Sequence, residues 1–335
     1  MKSLIQKLVE TASPSGHEAK IREVIRTEVE PLADSLRVDP MGNLIVEKGQ
    51  QKDGGVKVML AAHMDEIGIM VTHIDEKGFL RFLPIGGVRP FTCIGSRVRF
   101  LNGLAGVIYT ERAVDPNQAP TFEKMYIDIG ASKREEVSIK VGDVAVFERP
   151  FIELGGRLVS KAMDDRIGVA ILIETLRVLS SQGNSSPHCL VSVFSVQEEV
   201  GVRGATTSAY GVNPDLGLAI DVTGCGDTPN GLKMEVSLGK GPAIKVRDSG
   251  MLADPRVVDW MVKTAEKIKI PYQLEVLEGG STDARAMQLT RAGVPAGCLS
   301  IPCRYIHSPS EMVDYQDVQN AVRLLTSLLE KPLAL

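Results

Sequence analysis

Val56-Lys57-Val58-Met59-Leu60-Ala61-Ala62-His63-Met64-Asp65 is an apolar run that stops at a histidine, with an aspartate two residues further on. A strand that is apolar at both parities is buried on both of its faces. The pattern recurs. Cys189 to Val196 is a β-branched run that stops just before Glu198, Leu216 to Ile220 ends at Asp221, and Gly297 to Ile301 precedes the loop that carries His307. Helical spacing predicts helices between and around these strands at Glu18–Glu30, Asp164–Leu179, Asp254–Lys269 and Asp317–Leu329. Buried strands alternating with helices predict an α/β fold, a mixed sheet covered by helices on both faces.

The texture changes between about Gly68 and Gly156. Short β-type runs at Ile69–Ile74, Phe79–Leu83, Arg97–Leu101, Gly106–Thr110, Met125–Ile129 and Asp143–Phe147 are separated by turn signals such as Asp75-Glu76-Lys77-Gly78 and Asn102-Gly103. A loop is expected at Val114–Pro120. The α/β pattern resumes afterwards, so 68–156 reads as an inserted small β-barrel or sandwich. The main domain is then discontinuous, 1–67 and 157–335.

Composition excludes several classes. The 335 residues carry 38 Lys and Arg against 42 Asp and Glu, a formal charge of -4, with both signs dispersed, so nucleic acid is not an expected partner. With 44% hydrophobic residues the chain has ample core. Met1 to Glu10 is an amphipathic helix rather than a signal-peptide core, and no apolar run approaches the roughly twenty residues that cross a bilayer. Five cysteines, odd in number and without a C-x-x-C pair, suggest neither a disulfide framework nor a zinc ribbon; a reducing cytoplasm is expected.

In an open α/β sheet the functional crevice lies beyond the carboxyl ends of the strands, where His63, Asp65, Glu198, Glu199, Asp221 and His307 gather. A single carboxylate after a strand is usually a helix cap or a solvated loop residue; six such residues at equivalent ends are harder to dismiss. Asp164-Asp165 opens an apolar helix, and Asp165 is as well explained by capping as by chemistry. Two imidazoles and several carboxylates without a thiolate suit zinc, cobalt or manganese in a catalytic site. One ion leaves carboxylates over. Two ions about 3.5 to 4 Å apart use them economically, with one shared ligand and one carboxylate free as a base on the water between them. Glu198 and Glu199, adjacent at a strand end, point in different directions and divide such roles, while Asp65 can hold the second nitrogen of His63. His17, His73, His188, Cys298 and Cys303 read as surface or packing residues, and Gly86-Gly87 and Gly279-Gly280 as backbone turns rather than anion cradles. No G-x-S-x-G elbow occurs, so a serine hydrolase is not supported.

In order along the chain, His63-Met64-Asp65, Ser160-Lys161-Ala162-Met163-Asp164-Asp165-Arg166, Gln197-Glu198-Glu199-Val200-Gly201, Ala219-Ile220-Asp221-Val222-Thr223 and Arg304-Tyr305-Ile306-His307-Ser308-Pro309 resemble the motifs of the glutamyl and deblocking aminopeptidases, the tetrahedral aminopeptidases. Pro84-Ile85-Gly86-Gly87, Tyr126 to Ala131 and Gly279 to Asp283 add supporting matches, so the resemblance covers nearly the whole chain. It implies a dinuclear zinc-peptidase fold with two divalent metal ions per subunit. Asp164 then bridges them, His63 and Asp221 complete one site, and Glu199 and His307 the other. Glu198 is the general base on a metal-bridging water, and Asp65 orients His63. It also implies peptide substrates, a PDZ-like insert that mediates dimerisation, and dimers building a dodecamer in the cytoplasm.

Three alternatives share parts of this pattern. A deacylase or other amidohydrolase could use the same dinuclear core. A glycosidase needs two carboxyls across the scissile bond, about 5 to 10 Å apart, for which adjacent glutamates are ill placed. A non-enzymatic scaffold has no use for clustered carboxylates whose repulsion only cations relieve.

Overall fold

The structure, a computed structural model, describes residues 1–112, 119–183 and 186–333. All but the last two residues of the loop expected at Val114–Pro120 lie outside the described residues. The strand Lys57–His63 runs parallel to Cys189–Ser195 on one side, with His63 opposite Ser195, and to Leu216–Thr223 on the other, with Ala61 opposite Ala219. Leu216–Thr223 is in turn parallel to Ala296–Arg304. These are the four strands expected from the apolar runs, and because they are parallel their carboxyl ends share one edge. Further strands bring the sheet to eleven among the described residues: antiparallel Leu44–Lys48 and Ser35–Val38 beyond Cys189–Ser195, antiparallel Glu311–Asp314, Arg157–Ser160 and Ile152–Leu154 beyond Ala296–Arg304, and, off the main path, Ala243–Arg247 antiparallel to Ala296–Arg304, with Gln273–Val276 parallel to Ala243–Arg247.

Alternate side chains feed two separate cores. Val58, Leu60 and Ala62 pack with Leu190, Phe194, Leu218 and Ile220 under the helices Lys2–Glu10, Ala19–Val29, Met163–Ser181 and Tyr315–Leu329. Met59, Ala61, Val191, Val193 and Ala219 face the other way, onto Ala209 and Val212 of the helix Arg203–Val212 and Ala284 and Met287 of Asp283–Gln288. The long helix Met163–Ser181 is buried along most of its length, from Met163 to Leu179, between the sheet and its neighbours. Truncating one of its core side chains, such as Ile171 to Ala, costs about 2–5 kcal/mol.

The six strands Gly68–Ile74, Leu80–Ile85, Met125–Asp128, Ala105–Thr110, Arg97–Phe100 and Val144–Phe147 close in that order into a barrel. Closure is made by Ile69 pairing with Ala145. Alternation decides what points inward: Val98 and Phe100 are buried while Arg97 and Arg99 are not. The interior is filled by Ile69, Val71, Leu80, Phe82, Val98, Phe100, Ile108, Ile127 and Phe147, a core distinct from the two that flank the large sheet. The next strand, Ile152–Leu154, already belongs to the large sheet through Arg157–Ser160, so barrel pairing ends before the sequence boundary at 156. Among the described residues no helix is long and apolar enough to cross a membrane.

Candidate metal centre

His63, at the carboxyl end of its strand, is the hub of the site. Its Nε2 lies 2.9 Å from Asp164 Oδ1 and 3.9 Å from Glu198 Oε2, and its Nδ1 lies 3.4 Å from Asp65 Oδ1. Asp65 is fully buried and well supplied with donors: the Ser15 hydroxyl donates to it at 2.6 Å, the Glu198 N–H at 3.0 Å and the Glu199 N–H at 3.2 Å. Burial pushes the Asp65 carboxyl up, but the hydrogen bond and charge of His63, with these donors, hold it below the usual carboxylate range. One carboxylate thus fixes both the imidazole and the backbone that carries the two glutamates.

Asp164 and His307 are joined by a group that motif spacing did not single out. The buried Glu311 accepts the Asp164 N–H at 2.9 Å through Oε2 and the His307 N–H at 2.9 Å through Oε1. His307 Nε2 then lies 3.1 Å from Glu199 Oε2 and 3.4 Å from Asp164 Oδ2. Asp164 is consequently flanked by both imidazoles, which hold its carboxyl well below the usual range despite its burial. Burial pushes the His307 imidazole down, yet Asp164 and Glu199 outweigh it and bring the pKa up to about 11.

Donor atoms of His63, Asp164 and Glu199 fall within 4.8 Å of one another, as do those of His63, Asp165 and Asp221. The resemblance implied Asp221 beside His63 and Asp164; the structure groups it with His63 and Asp165. The capping expected of Asp165 occurs through Oδ1, which accepts the Gly168 N–H at 3.0 Å, but Oδ2 has no partner among the described residues. Glu199 Oε1 is likewise buried without one. Burial, and after it the charge of neighbouring acids, pushes the carboxyls of Asp165, Glu199 and Asp221 up; burial does the same for Glu198, despite the opposing charge of His63. A buried cluster of carboxylates with orphaned oxygens and two imidazoles is a poor arrangement by itself and a suitable one for divalent cations with nitrogen and oxygen ligands. The residues therefore fit the metals implied by the sequence.

Ser15, Glu311 and Asp283 escaped the sequence reading. Asp283 begins a short helix, accepts the Ser195 hydroxyl at 2.5 Å, and is pushed up by burial to about 6. Its only sequence signal was its place in the Gly279 to Asp283 motif. Of the residues set aside, His17 and His73 are exposed, His188 is buried with Nε2 2.8 Å from the Lys331 carbonyl, and burial pushes the thiols of Cys298 and Cys303 well up.

Known proteins resemble this chain in both sequence and structure. The family described as M42 glutamyl aminopeptidase matches residues 42–324. The lysyl aminopeptidase of Pyrococcus furiosus is 36% identical over 343 residues, covering 98% of this chain and 96% of that protein. An aminopeptidase from the archaeon Desulfurococcus kamchatkensis has a solved structure with a TM-score of 0.93 at 43% identity, covering 98% of this chain and 94% of that one. The TET1 peptidase of Pyrococcus horikoshii, described as able to assemble into a tetrahedron or a large octahedral shell, superposes with a TM-score of 0.89 at 33% identity over 98% of each chain.

Proposed function

Since the chain belongs to the M42 glutamyl aminopeptidase family and is an aminopeptidase, we propose that it removes N-terminal residues from peptides with two divalent metal ions, zinc or cobalt first and manganese as a third choice. Asp164 is the shared ligand, His63 and Asp221 hold one ion, and Glu199 and His307 the other. The observation that carries this reading is the convergence of His63, Asp164, Glu199 and His307 through contacts of 2.9 to 3.4 Å around one carboxylate. The metals supply Lewis acidity, lowering the pKa of a water and polarising the scissile carbonyl.

The chain's own residues do the rest. Asp65 keeps the Nδ1 side of His63 engaged, so that Nε2 is the nitrogen presented to the cluster. Glu198, next to a ligand yet facing His63 at 3.9 Å without a closer side-chain partner, is placed to take a proton from the attacking water and return it to the leaving amine nitrogen. Burial pushes its carboxyl well up, toward the range where a base both accepts and returns a proton.

Chelation followed by dialysis is the direct test. We expect hydrolysis of Leu-p-nitroanilide to be abolished and to return with Zn, Co or Mn, while the N-acetylated equivalent is untouched; full activity in metal-free protein overturns the reading, and cleavage of the acetylated substrate converts it to a deacylase. We further propose that 68–156 is an insert serving self-association, with 1–67 and 157–335 forming the catalytic domain. Dimers formed in this way assemble into a dodecamer. The cytoplasm is the proposed compartment, a reading supported by five cysteines that are all free thiols.

A further inference from the structure

We propose that the Gly86-Gly87 turn of the barrel is a positioning element for the second metal position, seating His307 and Glu199 by having no side chains. The proposal rests on the reading of those two residues as ligands. The turn leaves the barrel strand Leu80–Ile85 and reaches back to the edge of the large sheet. A Cβ on Gly87 would stand 2.2 Å from His307 Nδ1, 2.5 Å from its Cε1 and 3.2 Å from its Cγ. On Gly86, which is left-handed with φ +76°, a Cβ would stand 2.9 Å from Ile67 Cγ2, 3.0 Å from Glu199 Oε2 and 3.1 Å from Glu199 Cβ. The two glycines therefore back onto two side chains that are themselves 3.1 Å apart.

Other barrel glycines make the contrast. Gly95, Gly103, Gly130 and Gly142 are turn residues with positive φ, and a Cβ on any of them would meet nothing within 4 Å. Gly86 alone among the positive-φ glycines of the barrel abuts a proposed ligand, and Gly87, whose φ is not left-handed, is glycine for room rather than for conformation. His307 needs such a support. It sits on a half-buried loop at φ 61°, its side chain is 30% accessible, Glu311 holds its backbone N–H, and among the described residues no hydrogen bond holds the Nδ1 side of the ring. The barrel backbone closes the Nδ1–Cε1 edge, and the ring is left with Nε2 turned to Asp164 and Glu199.

The consequence can be put in distances. Restoring ordinary contact at about 3.5 Å after Gly87→Ala requires the ring to move by about 1 Å. Ligand distances tolerate about 0.2 Å. Loss of a residue that orients a ligand typically costs about 10- to 100-fold in metal affinity.

The experiment is a cobalt titration of the full-length, metal-stripped chain, read by elemental analysis and by the visible cobalt spectrum, with thermal unfolding of each metal-free protein as the measure of folding. Wild type should bind two equivalents. Gly87→Ala should bind the second at least about 10-fold more weakly and with an altered spectrum, while its metal-free unfolding temperature stays at the wild-type value. Gly156→Ala, a site with open space, should match wild type in both. His307→Ala should lose the second equivalent outright. Adding Gly87→Ala in that background, where no ring remains to be displaced, should change neither stability nor the remaining site. Two equivalents with the wild-type spectrum in Gly87→Ala overturn the proposal, provided that His307→Ala loses one. If the added Gly87→Ala still destabilises the His307→Ala chain, the glycine serves the fold, and the proposal again fails. Two equivalents retained in His307→Ala overturn instead the ligand reading on which it rests.

Discussion

Asp164, buried, and Glu198, partly buried, are acids within 4 Å of one imidazole nitrogen, at 2.9 and 3.9 Å, yet their surroundings give them opposite characters. Two histidines hold the Asp164 carboxyl well below its usual range, as the shared ligand proposed above requires, whereas burial pushes Glu198 upward and no side chain among the described residues hydrogen-bonds its oxygens. Glu198→Gln is therefore expected to keep its metals and lose about 10²- to 10⁴-fold in turnover, the usual contribution of a general base. Asp164→Asn is expected to lose metal as well. Elemental analysis of the two purified variants decides between them, and equal depletion rejects the division of labour. Every residue of the proposed ligand set was visible in the sequence because each sits at a strand end or opens a helix. Asp65, which holds His63, was visible too; what was not visible were the partner of Asp65 and the acid behind Asp164 and His307. Ser15, 50 positions before Asp65, and Glu311, 147 positions after Asp164, become neighbours only through tertiary pairing, and a lone Ser or Glu carries no periodicity to announce it.

The strands that position the site were legible because burial on both faces writes itself as an unbroken apolar run, and the long helices because their stripes repeat every three or four residues. Arg203–Val212 was missed: it is built of small residues, Gly204, Ala205, Ser208 and Ala209, which pack against Cys189–Ser195 without making an apolar stripe. Glu311–Asp314 was missed because four residues are too few for a pattern, although this strand pairs Glu311 with Ser160 and so delivers its carboxylate between Asp164 and His307. Glu311→Gln exchanges one acceptor for a donor against those two N–H groups, and metal affinity should fall about 10- to 100-fold with the fold retained, measured by competition with a chromogenic chelator. A different element shows how burial sets pH dependence. Asp317, in the first turn of Tyr315–Leu329, accepts the Gly239 and Gly241 N–H groups at 2.7 Å each, yet burial outweighs them and raises its pKa to about 6. The folded value lies above the unfolded value of about 3.9, so this group's contribution is fully present below about pH 4 and is lost as pH rises through about 6. Asp317→Asn should destabilise the chain by about 1–3 kcal/mol through the lost acceptor. Its deficit should widen from pH 7 to pH 5, because only the wild type gains from protonation. Denaturant unfolding at the two pH values checks it, and a deficit that narrows on acidification contradicts the burial argument.

At the scale of the molecule, the question is why a small barrel interrupts a peptidase sheet. Its interior is complete without the sheet, and one of its turns reaches the metal centre, which leaves its outer wall to be explained. On the strand Ala105–Thr110 the outward residues include Val107 at 43% and Tyr109 at 53% exposure, i and i+2 on one face, and the neighbouring wall adds Leu83 at 58%. An isolated apolar side chain on a surface needs no account, but an apolar row on one strand of a barrel that adds nothing to the main core is what a subunit contact looks like before it is covered. Closed symmetric assembly through such a face is the common outcome, and it is the role proposed for the insert. Light scattering at micromolar concentration should therefore give a particle of many times the 36.2 kDa chain mass. Charging the row with Val107→Lys and Tyr109→Lys should reduce that mass while leaving the cobalt stoichiometry at the wild-type value, because the substituted side chains point away from the barrel interior. A doubly charged variant that keeps its full mass moves the contact to another surface. A wild type that runs as a stable monomer, fully active on Leu-p-nitroanilide, removes self-association from the account altogether and leaves the seating of His307 as the barrel's remaining task.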